Sequence, residues 1–240
     1  MKKIILSFLT LVSLTAFAQD SKVVTDANAT VRKLIGSFTG ITVSDGIDLY
    51  LSQGQEESVA ISVSDEKYRD RFKTDIVNGV LKLYYDTKGI DLGIHLNRKL
   101  KAYVSFKTLE NLNASGGATV KGTGSFTVAN LGMKFTSGAH FEGQINAKEL
   151  SVEQNSGSGM TISGKADKIK VDGSSGSDFK GYDLVTEYCD AKASSGAGIR
   201  ITINKELTAK ANSGGGIRYK GAALIKDVNV NSGGVVKRAK

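Results

Sequence analysis

The sequence predicts a mainly β fold, a β-helix-like solenoid of stacked coils with an N-terminal β-rich capping region, and three observations carry that prediction. First, Ser-Gly turns recur seven times, at Ser115, Ser137, Ser156, Ser175, Ser195, Ser213 and Ser232, with spacings of 22, 19, 19, 20, 18 and 19 residues. Self-similarity at such a period marks a stacked-repeat architecture. Second, a short apolar alternation precedes each turn: Leu112 and Ala114, Met133 and Phe135, Leu150 and Val152, Ile169 and Val171, Cys189 and Ala191, Leu207 and Ala209, Val228 and Val230. Alternation over so few residues is a strand signal. Third, the chain has no proline and 28 glycines, which suits many tight turns and no stiff linker.

The elements follow in order. Residues 1–18 read as a secretory signal: Lys2 and Lys3 begin it, Ile4 to Leu14 supply an apolar run, and Ala16-Phe17-Ala18 offers a cleavage site before Gln19. That run is shorter than the roughly 20 residues of a spanning helix. No cysteine follows it to take a lipid anchor, and the mature chain is expected to carry no transmembrane segment. Residues 19–37 form an N-terminal segment, and residues 38–240 are expected to be one domain. Within it, 38–106 is a strand-rich start or cap. A hairpin is expected at Asn78-Gly79, where both residues favour the φ > 0 turn. A short helix is expected over Ser64 to Phe72, with Ser64 as N-cap. Residues 107–240 hold the seven repeats, each read as strand, Ser-Gly turn, strand, glycine turn. The second strand carries an apolar residue, a variable one and usually glycine: Val120-Lys121-Gly122, Phe141-Glu142-Gly143, Ile162-Ser163-Gly164, Phe179-Lys180-Gly181, Ile201-Thr202-Ile203 and Tyr219-Lys220-Gly221. Stacked coils would lay these apolar residues on one another to form a continuous core.

Several stretches together resemble one known family. They are Phe38-Thr39-Gly40-Ile41, the run from Val43 to Leu51, Asn78-Gly79-Val80-Leu81-Lys82-Leu83, Leu109 to Gly116, and Tyr219-Lys220-Gly221. The order is similar to that of the putative auto-transporter adhesin, head GIN domain family, across about Phe38 to Val236. The resemblance implies a single-stranded, right-handed parallel β-helix-like domain, exported by a Bacteroidota-type bacterium, with adhesion as the role attached to the family. Where relatives are expected to carry proline after the tyrosine-glycine motif, this chain has Ala222-Ala223.

The chemistry-bearing residues are sparse. Ser213-Gly214-Gly215-Gly216 lacks the Gly-Lys-Ser/Thr and following helix of a phosphate loop, and the same turn recurs seven times, so it reads as structure. His95 and His140 are the two histidines, far apart and in no ligand-spaced motif. Cys189, the single cysteine, cannot form an internal disulfide, and it falls in the alternating strand set, which predicts a core position. Only Ser177-Asp178 approaches the Asp-bearing turns of calcium-binding repeats. No catalytic, cofactor-binding or metal residue is assigned, and no cofactor is expected.

The outward positions of the second strand, Lys121, Glu142, Ser163, Lys180, Thr202 and Lys220, mix signs and read as a solvated face. Removing Lys2 and Lys3 lowers the formal charge from +8 to +6, which permits acidic partners without specifying one. A nucleic-acid partner is not expected. The expected function is an exported cell-envelope binding or structural module, adhesin-like and non-enzymatic, in the periplasm, at the outer membrane or outside the cell. The sequence does not name the partner; a glycan, a cell-surface protein or an envelope protein fits this reading. The alternatives are a glycan-active enzyme on the same scaffold and a periplasmic partner-binding protein that recruits a chain by strand addition.

Overall fold

The structure, a computed structural model, describes residues 26–89 and 98–239. The signal segment 1–18 and His95 lie outside the described residues. In chain order the strands are β1 (Thr30–Arg32), β2 (Gly40–Val43), β3 (Asp48–Gln53), β4 (Ser58–Val63), β5 (Phe72–Val77), β6 (Val80–Tyr85), β7 (Leu100–Phe106) and β8 (Asn111–Ala114). Then follow β9 (Thr119–Phe135), β10 (His140–Gln154), β11 (Gly159–Gly173), β12 (Asp178–Ala193), β13 (Gly198–Ala211), β14 (Gly216–Lys220), β15 (Leu224–Val230) and β16 (Val235–Arg238). From β8 onward every pairing is parallel, each coil upon the next, which makes a β-solenoid.

The repeated turn is a two-residue corner with both residues at positive φ: Ser137–Gly138, Ser156–Gly157, Ser175–Gly176, Ser195–Gly196, Ser213–Gly214 and Ser232–Gly233. This is the type I′ geometry, which suits glycine and small polar residues. At the first repeat the pair is Gly116–Gly117, so Ser115 stands one place earlier than the other serines. The same geometry occurs at Asp45–Gly46, an eighth corner that the Ser-Gly pattern did not mark. The corners stack through their backbones: Gly138 N–H donates to Ser156 O at 3.0 Å, Gly157 to Ser175 at 3.0 Å and Gly196 to Ser213 at 3.1 Å.

The N-terminal region joins the solenoid out of sequence order. β2 lies between β6 and β8, and β3 between β7 and β9, all in parallel. The chain therefore builds one coil at β2–β3, moves outward to build the β6–β7 coil above it, and returns at β8 to continue below. Antiparallel strands finish the outer end: β5 on β6 through the Asn78–Gly79 hairpin, β4 on β7, and β1 on β4. These strands satisfy backbone groups that a bare coil would leave unpaired.

The expected helix over Ser64 to Phe72 is instead a single 3-10 turn, Glu66–Tyr68, capped by Asp65, whose carboxylate accepts from the Lys67 N–H. Two competing interactions explain the difference. Ser64 extends the β4–β7 pairing by bonding Lys99, and Phe72 begins β5 opposite Tyr85. Tyr68 is then free to pack edge-on against Tyr85, with ring centroids 6.3 Å apart.

Inside the repeats, the run before each corner contributes three buried layers where two were expected. Leu131, Leu150, Ile169, Cys189 and Leu207 form one; Leu112, Met133, Val152, Val171, Ala191 and Ala209 the next; Ala114, Phe135, Gln154, Gly173, Ala193 and Ala211 the third. The expected alignment of Met133 and Phe135 with Leu150 and Val152 is thus displaced by one layer. Val228 and Val230 were expected to be buried but are 39% and 44% exposed, since β15 belongs to the last described coil and nothing described covers it.

The run after each corner is also registered differently from expectation. Val120, Phe141, Met160, Phe179, Ile199 and Ile217 share one layer, and Gly122, Gly143, Ile162, Gly181, Ile201 and Tyr219 share the next. Ile162, Ile201 and Tyr219 therefore stand one layer beyond Phe141 and Phe179, not beside them. Volume explains it: a Cβ added to Gly181 would fall 2.5 Å from the Phe179 ring, and one added to Gly143 would fall 2.9 Å from the Phe141 ring. Each of these phenylalanines fills both layers and leaves room for glycine only. Coils with Met160/Ile162 or Ile199/Ile201 fill the same space with two side chains. At the exit from the last such run, Gly221 (φ 93°) sits where a Cβ would overlap the Ile203 carbonyl, and Ala223 N–H bonds that same oxygen at 3.2 Å.

Candidate functional site: the outer face after the corners

The unequal spacing of the corners has a structural consequence on the outer face. Positive-φ corners beginning at Gly116, Ser137, Ser156, Ser175 and Ser195 enclose coils of 21, 19, 19 and 20 residues. The extra residues sit at one place. Between Lys121 and Ser125 lie Gly122, Thr123 and Gly124, and between Lys180 and Asp183 lie Gly181 and Tyr182. The matching positions in β10 and β11 hold one residue each, Gly143 and Ile162. Extra residues in a ladder loop outward. The two longer coils thus flank two shorter ones, and the difference leaves a recess of about 610 Å³.

Tyr50, Lys121, Glu142, Gln144, Ser163 and Asp183 are among the residues of its polar and aromatic lining. Tyr50 is held by stacking on Tyr103, with centroids 5.1 Å apart and planes at 17°. Tyr103 Oη in turn donates to Asp26 Oδ2 at 2.8 Å. Burial, and then this bond, push the Tyr103 phenol well above the ordinary tyrosine range, while the same bond leads the causes that hold the Asp26 carboxyl below the ordinary aspartate value. Tyr103 therefore stays a donor across the neutral range. Among the described residues, none of Lys121, Glu142 and Asp183 takes part in an ion pair. Glu142 and Asp183 are exposed and lie two coils apart, about 10 Å along the solenoid at the usual strand spacing.

The structure distributes the other singled-out residues as follows. Lys121 and Glu142 line the recess together with Ser163, but Lys180, Thr202 and Lys220 lie farther toward the C-terminal end. Lys121 and Glu142 are direct neighbours in a row that continues through Thr161 and Lys180, whereas Ser163 stands beside Asp183, and Thr202 stands between Val185 and Lys220. The six positions read as one row in the sequence are thus drawn from three. Tyr50 and Asp183 were missed, and the signal that could have found Asp183 is the one-residue lengthening of its repeat. His140 is exposed, its ring lying over Gly159 in the next coil. Cys189 is buried, and burial pushes its thiol up to about 12. Asp178 is engaged by Arg200 at 2.6 Å. Among the described residues no three His, Cys, Asp or Glu side chains converge, and no helix is long and apolar enough to cross a membrane.

Three solved structures share this fold. A putative adhesin from Bacteroides fragilis NCTC 9343 is 16% identical with a TM-score of 0.78, over 89% of this chain and 98% of that one. A putative adhesin from Parabacteroides distasonis ATCC 8503 is 15% identical with a TM-score of 0.68, over 88% and 97%. A putative lipid binding protein from the same strain is 18% identical with a TM-score of 0.61, over 90% and 98%. No curated protein matches the chain. The sequence profile described as putative auto-transporter adhesin, head GIN domain, matches residues 37–223, so the chain belongs to that family.

Proposed function

We propose that the protein is an exported cell-envelope module that binds its partner on the outer face after the corners and performs no chemistry on it. The observation that carries this reading is the recess itself. Two short coils between two longer ones leave a preformed depression, with a braced tyrosine at one rim and charged side chains free to meet a ligand. Preformed concavity with a few convergent polar groups is the usual form of a binding site. A tyrosine ring offers an apolar plane and a hydroxyl together, which suits a glycan or a protein loop.

Export follows from the signal at 1–18, and N-terminal sequencing of the secreted protein should begin at Gln19.

The test is retention of the mature protein, residues 19–240, on an array of glycans, lipids and envelope proteins, compared with Tyr50→Ala and Glu142→Lys variants. The reading expects retention by at least one ligand class, weakened in both variants, with the ligand recovered intact. Retention unaffected by either variant would refute the placement. Cleavage of a glycan that is abolished by Glu142→Gln or Asp183→Asn would refute the passive role.

A further inference from the structure

In the observed register, one outward row of the same face changes character toward the C-terminal end. After Tyr50, Lys121, Glu142 and Thr161 it continues as Lys180, Arg200, Arg218 and Lys237 on four successive coils. Like charges directly opposite on neighbouring strands repel. Elsewhere on the solenoid like charges meet only over single steps, as at Lys192 beside Lys210 and Glu153 beside Asp172, and several outward charges pair with the opposite sign on the next coil: Lys134–Glu153 at 3.1 Å, Lys168–Glu149 at 3.4 Å, Lys205–Glu187 at 3.1 Å and Lys226–Glu206 at 3.0 Å. Among the described residues, the only carboxylate in an ion pair along the cationic row is Asp178, which meets Arg200 at 2.6 Å and Lys180 at 3.8 Å. Among the described residues, Arg218 and Lys237 have no carboxylate partner. Lys220, two residues beyond Arg218 on the same face, lies over the Tyr182 ring at 4.7 Å.

We infer that this row is a binding site for a linear anionic polysaccharide lying along the solenoid axis. The inference rests on the reading of this face as a binding surface and names its ligand class. Four cations at the coil spacing cover about 14 Å in a straight line, so a polymer with one carboxylate or sulfate per sugar presents its charges to them in sequence. Arg and Lys stems are long enough to absorb the difference in pitch. An anionic membrane is the poorer fit. Surface binding to lipid sets apolar side chains beside the cations, and the large exposed apolar residues among those described, such as Val31, Ile35, Leu224 and Ile225, lie off this row. Single-stranded nucleic acid calls for a series of stacking rings, and among the described residues Tyr182 is the one aromatic ring that meets a cation of this group.

The experiment titrates the mature protein with polygalacturonate oligomers and with uncharged dextran, at low and at physiological salt. Polygalacturonate should bind, dextran should not, and affinity should fall as salt rises because Lys180, Arg218 and Lys237 are exposed. The double variant Arg218→Ser/Lys237→Ser should lose about tenfold or more in affinity, two surface charges each contributing a few-fold. Lys220→Ser should lose a few-fold, and Lys134→Ser, on another run, less than about twofold. Thermal melting of each variant confirms folding, and loss of like-charge repulsion should leave the double variant at least as stable as the parent.

Absence of binding at low salt, equal uptake of dextran, or equal losses with Lys134→Ser would overturn the inference. So would tighter binding of phosphatidylserine vesicles or single-stranded DNA than of polygalacturonate at matched charge. A protein retained on the array through Tyr50 and Glu142 but indifferent to polygalacturonate would keep the module reading and lose this one. Binding of polygalacturonate that depends on Arg218 and Lys237 and is untouched by Tyr50→Ala would keep the cationic row and remove the recess from the binding surface.

Discussion

Exchanging the contents of one coil for those of its neighbour should be nearly free, while making either half of the exchange should not. In the β12 coil the Phe179 ring fills two layers above Gly181, while the coils on either side fill them with Met160 and Ile162, and with Ile199 and Ile201. Gly181→Ile drives a branched side chain into a ring that already stands 2.5 Å from the Cβ position, with the Arg200 carbonyl at 3.2 Å. Overpacking of that kind costs about 3 kcal/mol. Phe179→Ile alone leaves part of the ring volume empty and costs about 1–2 kcal/mol. The double variant reproduces the neighbouring coils and should lie within about 1.5 kcal/mol of the parent, so the two changes should couple by at least about 2.5 kcal/mol. Urea unfolding of the four proteins, followed by far-UV circular dichroism, measures the cycle. Additive losses would refute the register that places Phe179 over Gly181.

Other consequences are testable on the same footing. Ser158 is 1% exposed, its hydroxyl has no partner among the described residues, and Ala139 and Ala197 hold the equivalent place in other coils; Ser158→Ala should therefore raise stability by about 1 kcal/mol in urea unfolding. Val171→Asp should abolish cooperative folding, since it buries an unpaired charge, whereas Val228→Asp, in the same layer of the open last coil, should cost under about 1 kcal/mol. The Cys189 thiol should resist a disulfide reagent in the native protein and react on unfolding. Its raised pKa also sets a pH dependence: above pH 9 the unfolded chain loses the thiol proton while the folded chain keeps it to about 12, so stability falls across that window. Cys189→Val should remove that part of the alkaline loss, as read from melting temperatures across the same range.

The corners and the core of the repeats were legible because they depend on local chemistry. A Ser-Gly pair at positive φ and an apolar alternation can each be recognised within a few residues, and Cys189 was placed in the core on that basis. Layer-to-layer register was less legible, because it depends on volume shared between side chains two residues apart. Phe141 and Phe179 complete a layer that Ile162 and Ile201 complete elsewhere, so aligning apolar residue on apolar residue slid three coils by two positions. The Asp45–Gly46 corner was hidden for a topological reason. The chain leaves the solenoid after Gln53, builds the β6–β7 coil with its antiparallel covering strands, and returns only at Asn111, so two stacked corners stand far apart in sequence. Both features of the outer face follow from what was missed. The recess comes from the residues that made the repeat spacing uneven, and the cationic row emerges only when Arg200 and Arg218 are counted beside Lys180.

The most direct measurement is lysine acetylation of the mature protein with and without bound polygalacturonate, read residue by residue by mass spectrometry. The account predicts protection of Lys180, Lys220 and Lys237, on the runs that follow the corners, and unchanged labelling of Lys134, Lys170 and Lys210, on the runs that precede them. Uniform protection, or protection confined to the second set, would contradict the assignment of the binding face.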